Sequence, residues 1–210
     1  YLFLFFFIIA WFINISNTYD FDFKYKSELK NDGARLEGFL FPDTYTFVKN
    51  GTDEVLIINT MLKRFEEIYS KYENKRTDYS IYEIVTLASI IEREAMYKED
   101  FYNVSSVFHN RLKRDDYLSY LQSCATVQYI LKERKTVLSY KDTEINSPYN
   151  TYKYPGLPKG PISSPGELAI DAALNPNITS YLYFLNDKDG KLYFSKTNEE
   201  HERLKAKYVN

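Results

Sequence analysis

Apolar residues recur at helical spacing along the first half of the chain. From Asp53 to Lys75, Val55, Ile58, Met61, Leu62 and Phe65 fall three or four positions apart, the period of a helix with one buried face. A second helix opens on "SIYE", Ser80 to Glu83, where a serine followed three residues later by glutamate forms a capping box. It carries Ile84, Leu87, Ala88, Ile91 and Ala95 on one face. A third runs from about Asp100 to Arg114, with Val104, Val107, Phe108 and Leu112 inward. Ahead of them, "LEGFLFPDTYTFV" sets two aromatic runs about Pro42-Asp43 and predicts strand, turn, strand over about 37–48. "YLYFLNDKDGKLYFS" predicts a hairpin around Asp189-Gly190. The fold class expected is α+β, a helical core with small antiparallel β units at about 37–48 and 181–195.

Other stretches break these periods. The first 15 residues, "YLFLFFFIIAWFINI", hold no charge, and a membrane span needs about 20 such residues. No small-x-small cleavage site follows. The reading preferred is one uncleaved transmembrane anchor helix over 1–16, against a signal-peptide core or a buried helix. The first basic residue is Lys24, which places the body on the extracytoplasmic side. Residues 17–36 read as a short linker, and 37–210 as the functional domain. "SPYNTYKYPGLPKGPISSPGE" packs five prolines and three glycines into 21 residues. It reads as a long functional loop, since its aromatics argue against disorder. Ser164, Pro165 and Glu167 predict a capped short helix running to Asn175-Pro176. The tail "NEEHERLKAKYVN" predicts a charged terminal helix.

Composition narrows the chemistry. Twenty-seven basic and 29 acidic residues give a net charge of −2, so no broad basic field exists to attract nucleic acid. One cysteine and two histidines argue against a disulfide scaffold and a conventional zinc site. No metal and no other cofactor is expected. The aromatic share is 18%, with 21 Tyr and 15 Phe against one Trp. That suits a carbohydrate groove, where rings offer flat apolar area with a polar edge, and equally suits a bare compositional bias.

One stretch points to a reacting group. In "TLASIIEREAMY", Thr86 to Tyr97, Glu92 and Glu94 flank Arg93 at the end of an apolar helix. At about 100° per residue they fall on opposite edges of the apolar stripe. Glu92 lies beside Ala88 and Val85, Glu94 beside Leu87 and Ile90. Partial burial there raises a carboxyl pKa, which a general acid needs near neutral pH. Periodicity alone does not separate the two, and a solvated helix end is the commoner fate of such a pair.

"EGFLFPDTY" (Glu37–Tyr45), "ASIIEREA" (Ala88–Ala95), "VFHNRL" (Val107–Leu112), "LQS-AT-Y" (Leu121 to Tyr129), "SPYNTY" (Ser147–Tyr152), "GLPKGPISSPG" (Gly156–Gly166) and "YLYF" (Tyr181–Phe184) occur in that order. Together they resemble the MltG/YceG-like endolytic murein transglycosylases across roughly residues 36–202. The resemblance implies an enzyme held by one N-terminal helix, acting on peptidoglycan outside the bacterial cytoplasmic membrane. It implies cleavage of the MurNAc–GlcNAc bond in nascent strands, leaving 1,6-anhydroMurNAc ends and so terminating glycan elongation. Glycan strands are the implied substrate, with peptidoglycan synthases as further partners. The catalytic glutamate lies in the segment matching "ASIIEREA". Glu94 is the preferred acid/base and Glu92 the runner-up, because the acid in the enzymes this segment resembles tends to precede a small residue, here Ala95.

The same resemblance suggests Gln122, Ser123, Asn150, Tyr149 and Tyr152 as sugar contacts, and Glu37 as a second groove carboxyl or a turn anchor. Asn110 and Arg111 read as a structural hydrogen-bond network, and His201 as a helix cap or surface pair. Two departures stand out. The family's usual "LQSDPT" is "LQSCAT" here, with Cys124 in place of the aspartate. Only about 20 residues separate the apolar start from the matched region, where the family normally has a LysM-like module. These departures favour the alternative of a non-catalytic, membrane-anchored glycan-binding or wall-synthesis scaffold; the retained "ASIIEREA" opposes it.

Overall fold

The computed structural model describes residues 18–29, 35–48, 53–135 and 137–209. The proposed anchor falls on residues 1–16 and lies outside them. Among the described residues no helix is long and apolar enough to cross a membrane.

Among the described residues, seven α-helices and one two-stranded sheet make an α+β fold: α1 (Glu54–Tyr69), α2 (Ile81–Glu94), α3 (Lys98–Leu112), α4 (Cys124–Leu131), α5 (Tyr140–Thr143), α6 (Glu167–Leu174), β1 (Tyr183–Asn186), β2 (Leu192–Ser195) and α7 (Asn198–Tyr208). The starts of the helices follow local chemistry. The Asp53 side chain accepts from the Leu56 N–H. Ser80 and Glu83 form the expected capping box at α2, and Thr197 caps α7. The antiparallel hairpin pairs Tyr183 with Ser195 and Asn186 with Leu192, and its turn places Gly190 at φ 82°.

Helix α2 is the axis of the domain. Residues Ile84 to Ile91 are all buried, because α3, α4 and α6 pack around it. Its two internal hydroxyls bond the helix's own carbonyls: Thr86 donates to Tyr82 O at 2.8 Å and Ser89 to Thr86 O at 2.7 Å. The proline-rich loop is ordered because α2 takes up its polar groups. Ile162 N–H donates to Ser89 Oγ at 3.0 Å, and Ser163 Oγ donates to Ser89 O at 3.0 Å.

Three expectations change. Residues 41–48 form no strand and belong to no regular element, so the only sheet among the described residues is the hairpin. The helix after the loop is capped at Gly166, not Ser164. Residues 21–25, expected within a linker, alternate apolar and charged side chains and bury Phe21, Phe23 and Tyr25 in the core. There Phe23, Phe39, Phe65, Tyr25 and Tyr69 meet edge-on or stacked at 5.1–6.1 Å between centroids. Much of the aromatic excess therefore serves packing.

Candidate active site

In the last turn of α2 the two glutamates meet different segments. Glu92 Oε2 accepts from Gly166 N–H at 3.1 Å. Gly166 is the N-cap of α6 and has no side chain to cap that helix, so Glu92 supplies an acceptor at a terminus that would otherwise leave donors unpaired. Glu92 is thus committed to holding α6 against α2.

Glu94 points to another helix start. Ser123, the N-cap of α4, leaves its own helix uncapped and donates its hydroxyl to Glu94 Oε1 at 2.5 Å. The Ala125 N–H also bonds the Glu94 carboxylate. The carboxyl occupies the place of a capping side chain. Burial pushes its pKa up, opposed by Ser123, the Ala125 N–H and the charge of Arg93; the net shift is upward. Desolvation disfavours the ionised form more than these partners restore it.

Glu94 opens into a cleft of about 460 Å³. Gln122, Ser123, Cys124 and Tyr152 line the side nearest it, and Tyr183, His201 and Lys205 come from the hairpin and α7. Gln122 takes a left-handed conformation, φ 52°, held by its N–H to Thr151 O at 3.1 Å. A non-glycine residue there is strained, and such strain gathers at functional sites. Cys124 Sγ lies 3.1 Å from the Tyr152 hydroxyl. Burial raises the thiol pKa, and nearby Glu94 adds to the rise, so at neutral pH Cys124 is an un-ionised thiol.

Arg111 joins the two walls. It is buried, and its Nε donates to Leu182 O at 2.7 Å while Nη1 donates to Tyr120 O at 3.0 Å and Leu121 O at 3.2 Å. Its guanidinium also lies 5.2 Å from the Tyr183 ring centroid. Asn110 donates to Thr179 O and Tyr181 O. Both bind backbone carbonyls, the structural network expected.

The structure does not bring all the candidate residues together. Gln122, Ser123 and Tyr152 share the cleft with Glu94. Asn150 does not: it is 1% exposed, and its amide bonds Thr143 O, Ile145 O and the Tyr152 N–H. It shapes the loop that presents Tyr152. Glu37 and Tyr149 line a different cavity, where Glu37 accepts from the Tyr129 hydroxyl. His201 is neither cap nor surface pair. Its ring stacks on Tyr183 at 5.3 Å and lines the cleft, and burial lowers its pKa. Sequence reasoning missed Tyr183 and Lys205. The only signal was Tyr183 inside the "YLYF" motif; nothing local marks Lys205, which reaches the site because α7 folds back on the hairpin.

Comparison with known proteins agrees with this architecture. A family model described as the YceG-like family matches residues 11–207. An endolytic murein transglycosylase of Bacillus subtilis (strain 168) is 43% identical over 183 residues, covering 86% of this chain and 50% of the relative. The enzyme of that name from Streptococcus pneumoniae serotype 2 (strain D39 / NCTC 7466) is 37% identical over 193 residues, covering 87% and 34%. A crystal structure of a YceG-like protein from Listeria monocytogenes superposes with a TM-score of 0.74 at 45% identity, covering 81% of this chain and 55% of that one. The chain spans half the length, or less, of the curated relatives it matches. With its family model covering most of its length, the chain belongs to the YceG-like family.

Proposed function

We propose that the domain is an endolytic murein transglycosylase in which Glu94 is the single acid/base. The observation that carries this reading is a carboxyl set in a cleft, pushed towards its neutral form and fixed by Ser123 and Ala125. The neutral acid protonates the glycosidic oxygen as the bond from the muramyl anomeric carbon breaks. The carboxylate so formed takes the proton from that muramyl residue's C6 hydroxyl as its oxygen bonds the anomeric carbon. One C–O bond is broken and one formed, a proton passes from O6 to the leaving oxygen, and a 1,6-anhydro end results. The attack is intramolecular and has the proximity advantage of a tethered nucleophile.

Cys124 does not supply the second carboxyl of a hydrolytic pair, and the other carboxyl lining the cleft, Glu202 of α7, is paired with Lys205. Glycosidases that use water commonly set a second carboxylate across the scissile bond as base or nucleophile. An un-ionised thiol beside Glu94 does not serve as that base. Gln122 and Tyr152 are the sugar contacts proposed, and Ser123 is a positioning residue that acts through Glu94. The names of the relatives support murein as substrate. The apolar run over 1–16 supports an anchor that holds the domain at the outer face of the cytoplasmic membrane, within reach of glycan synthases. The test is incubation of the protein with uncrosslinked glycan, followed by mass spectrometry. Products with anhydro ends, 18 mass units lighter than hydrolysed ones by the loss of one water, are expected (about 18 Da). Reducing ends alone would refute the lytic route.

A further inference from the structure

Helix α4 separates the Glu94 cleft from a second cavity of about 600 Å³. Ala125 stands between them: it lines the second cavity, and its N–H binds the Glu94 carboxylate. Arg93, Lys132 and Arg134 reach this cavity, against the carboxyls of Glu37 and Glu133. Glu37 is engaged by the Tyr129 hydroxyl. Arg93 donates to Gln128 Oε1 at 3.4 Å, a neutral acceptor. Among the described residues, none of the three cations forms an ion pair. Tyr129 and Tyr149 form an aromatic wall, with ring centroids 4.8 Å apart.

Lys132 adds a second, independent sign. It ends α4 at φ 53° and ψ 30°, the position where helices usually place glycine because a side chain is strained there. Among the described residues only Gln122 and Lys132 take positive φ without being glycine. They bracket α4, and each lines one of its two flanking cavities. A residue kept in a strained conformation where glycine would fit better is a mark of side-chain function.

We propose that this second cavity binds the acidic peptide stem carried by a muramyl residue of the glycan, with Lys132 and Arg134 pairing its carboxylates and the two tyrosines packing its aliphatic part. The inference rests on the reading of the Glu94 cleft as a murein site. It gives the domain a means to prefer glycan whose stems still bear free carboxylates. Guanidinium and ammonium groups at a partly enclosed surface suit that task.

The test uses fluorescently labelled uncrosslinked glycan in two forms, one with free stem carboxylates and one with those carboxylates converted to amides. Binding is read by anisotropy, so turnover is not needed. Wild type binds the free-acid form more tightly. Lys132→Gly combined with Arg134→Gln weakens that binding about fivefold or more, the scale of two partly exposed ion pairs, and leaves binding of the amidated form unchanged. Lys132→Gly alone keeps or raises Tm, because glycine relieves the backbone, so lost binding is not lost folding. Equal wild-type affinity for the two forms, equal losses on both, or no binding of either overturns the proposal. Failure of wild type to make anhydro ends refutes the lytic reading instead, and leaves the charge dependence of binding to be judged separately.

Discussion

Burial raises the Glu94 pKa, outweighing three groups that favour its charge. That balance has a thermodynamic signature. A carboxyl whose pKa is raised by folding binds more protons in the native state than in the unfolded one. Stability therefore falls as pH rises from the unfolded pKa through the folded one. Glu94→Gln removes this loss, so its Tm should exceed that of wild type at about pH 7.5, and the gap should close near about pH 4. Melting curves at the two pH values check it; a gap independent of pH contradicts the raised pKa. Ser123 acts in the opposite sense, since its hydroxyl stabilises the carboxylate. Ser123→Ala should raise the Glu94 pKa further and move the alkaline limb of the pH–rate profile upward. Turnover at the optimum should still fall about 10-fold through lost orientation. An alkaline limb that stays put would detach Ser123 from Glu94. At this scale periodicity placed both glutamates at the edges of an apolar stripe, and only the resemblance, through Ala95, preferred Glu94. What separates them is which distant segment arrives: Gly166 at Glu92, and the start of α4 at Glu94.

The same contacts appear at the scale of elements as helix capping across sequence distance. Glu92 caps α6, and Glu92→Ala should cost about 1 kcal/mol, the usual worth of a cap, and lower Tm by about 2–4 °C for a domain of this size. Turnover per folded molecule should stay close to wild type. Lost turnover at unchanged Tm would instead give Glu92 a chemical role. Helices α1 to α3 were legible because each repeats apolar residues at 3.6-residue period, and α2 and the hairpin carry their own cap and turn residues. Helix α4 was not. Its "CATVQYIL" is rich in β-branched and aromatic residues that favour strands, and its start is satisfied by Glu94 rather than by a local side chain. The strand unit expected over 37–48 failed for the converse reason. Its aromatic residues suit a strand, but among the described residues no partner strand lies beside them, and Phe39 and Phe41 enter the core directly.

For the whole molecule, the α+β class was legible, and the ordered motifs pointed to the family that the comparison shows. Where the site lies was less so, because its walls come from α2, α4, the proline-rich loop, the hairpin and α7. Buried Arg111 ties these parts together through three backbone carbonyls from both walls. The central claim is that Glu94 alone carries the acid/base chemistry of this assembly. Its most direct test is the rate at which Glu94→Gln and Glu92→Gln, both checked for native folding, convert uncrosslinked glycan to anhydro-ended products. Glu94→Gln keeps the shape of the side chain and removes the titrating proton, so its rate should fall about 100-fold or more, while Glu92→Gln stays within a few-fold of wild type. Near-normal production of anhydro ends by Glu94→Gln would contradict the account.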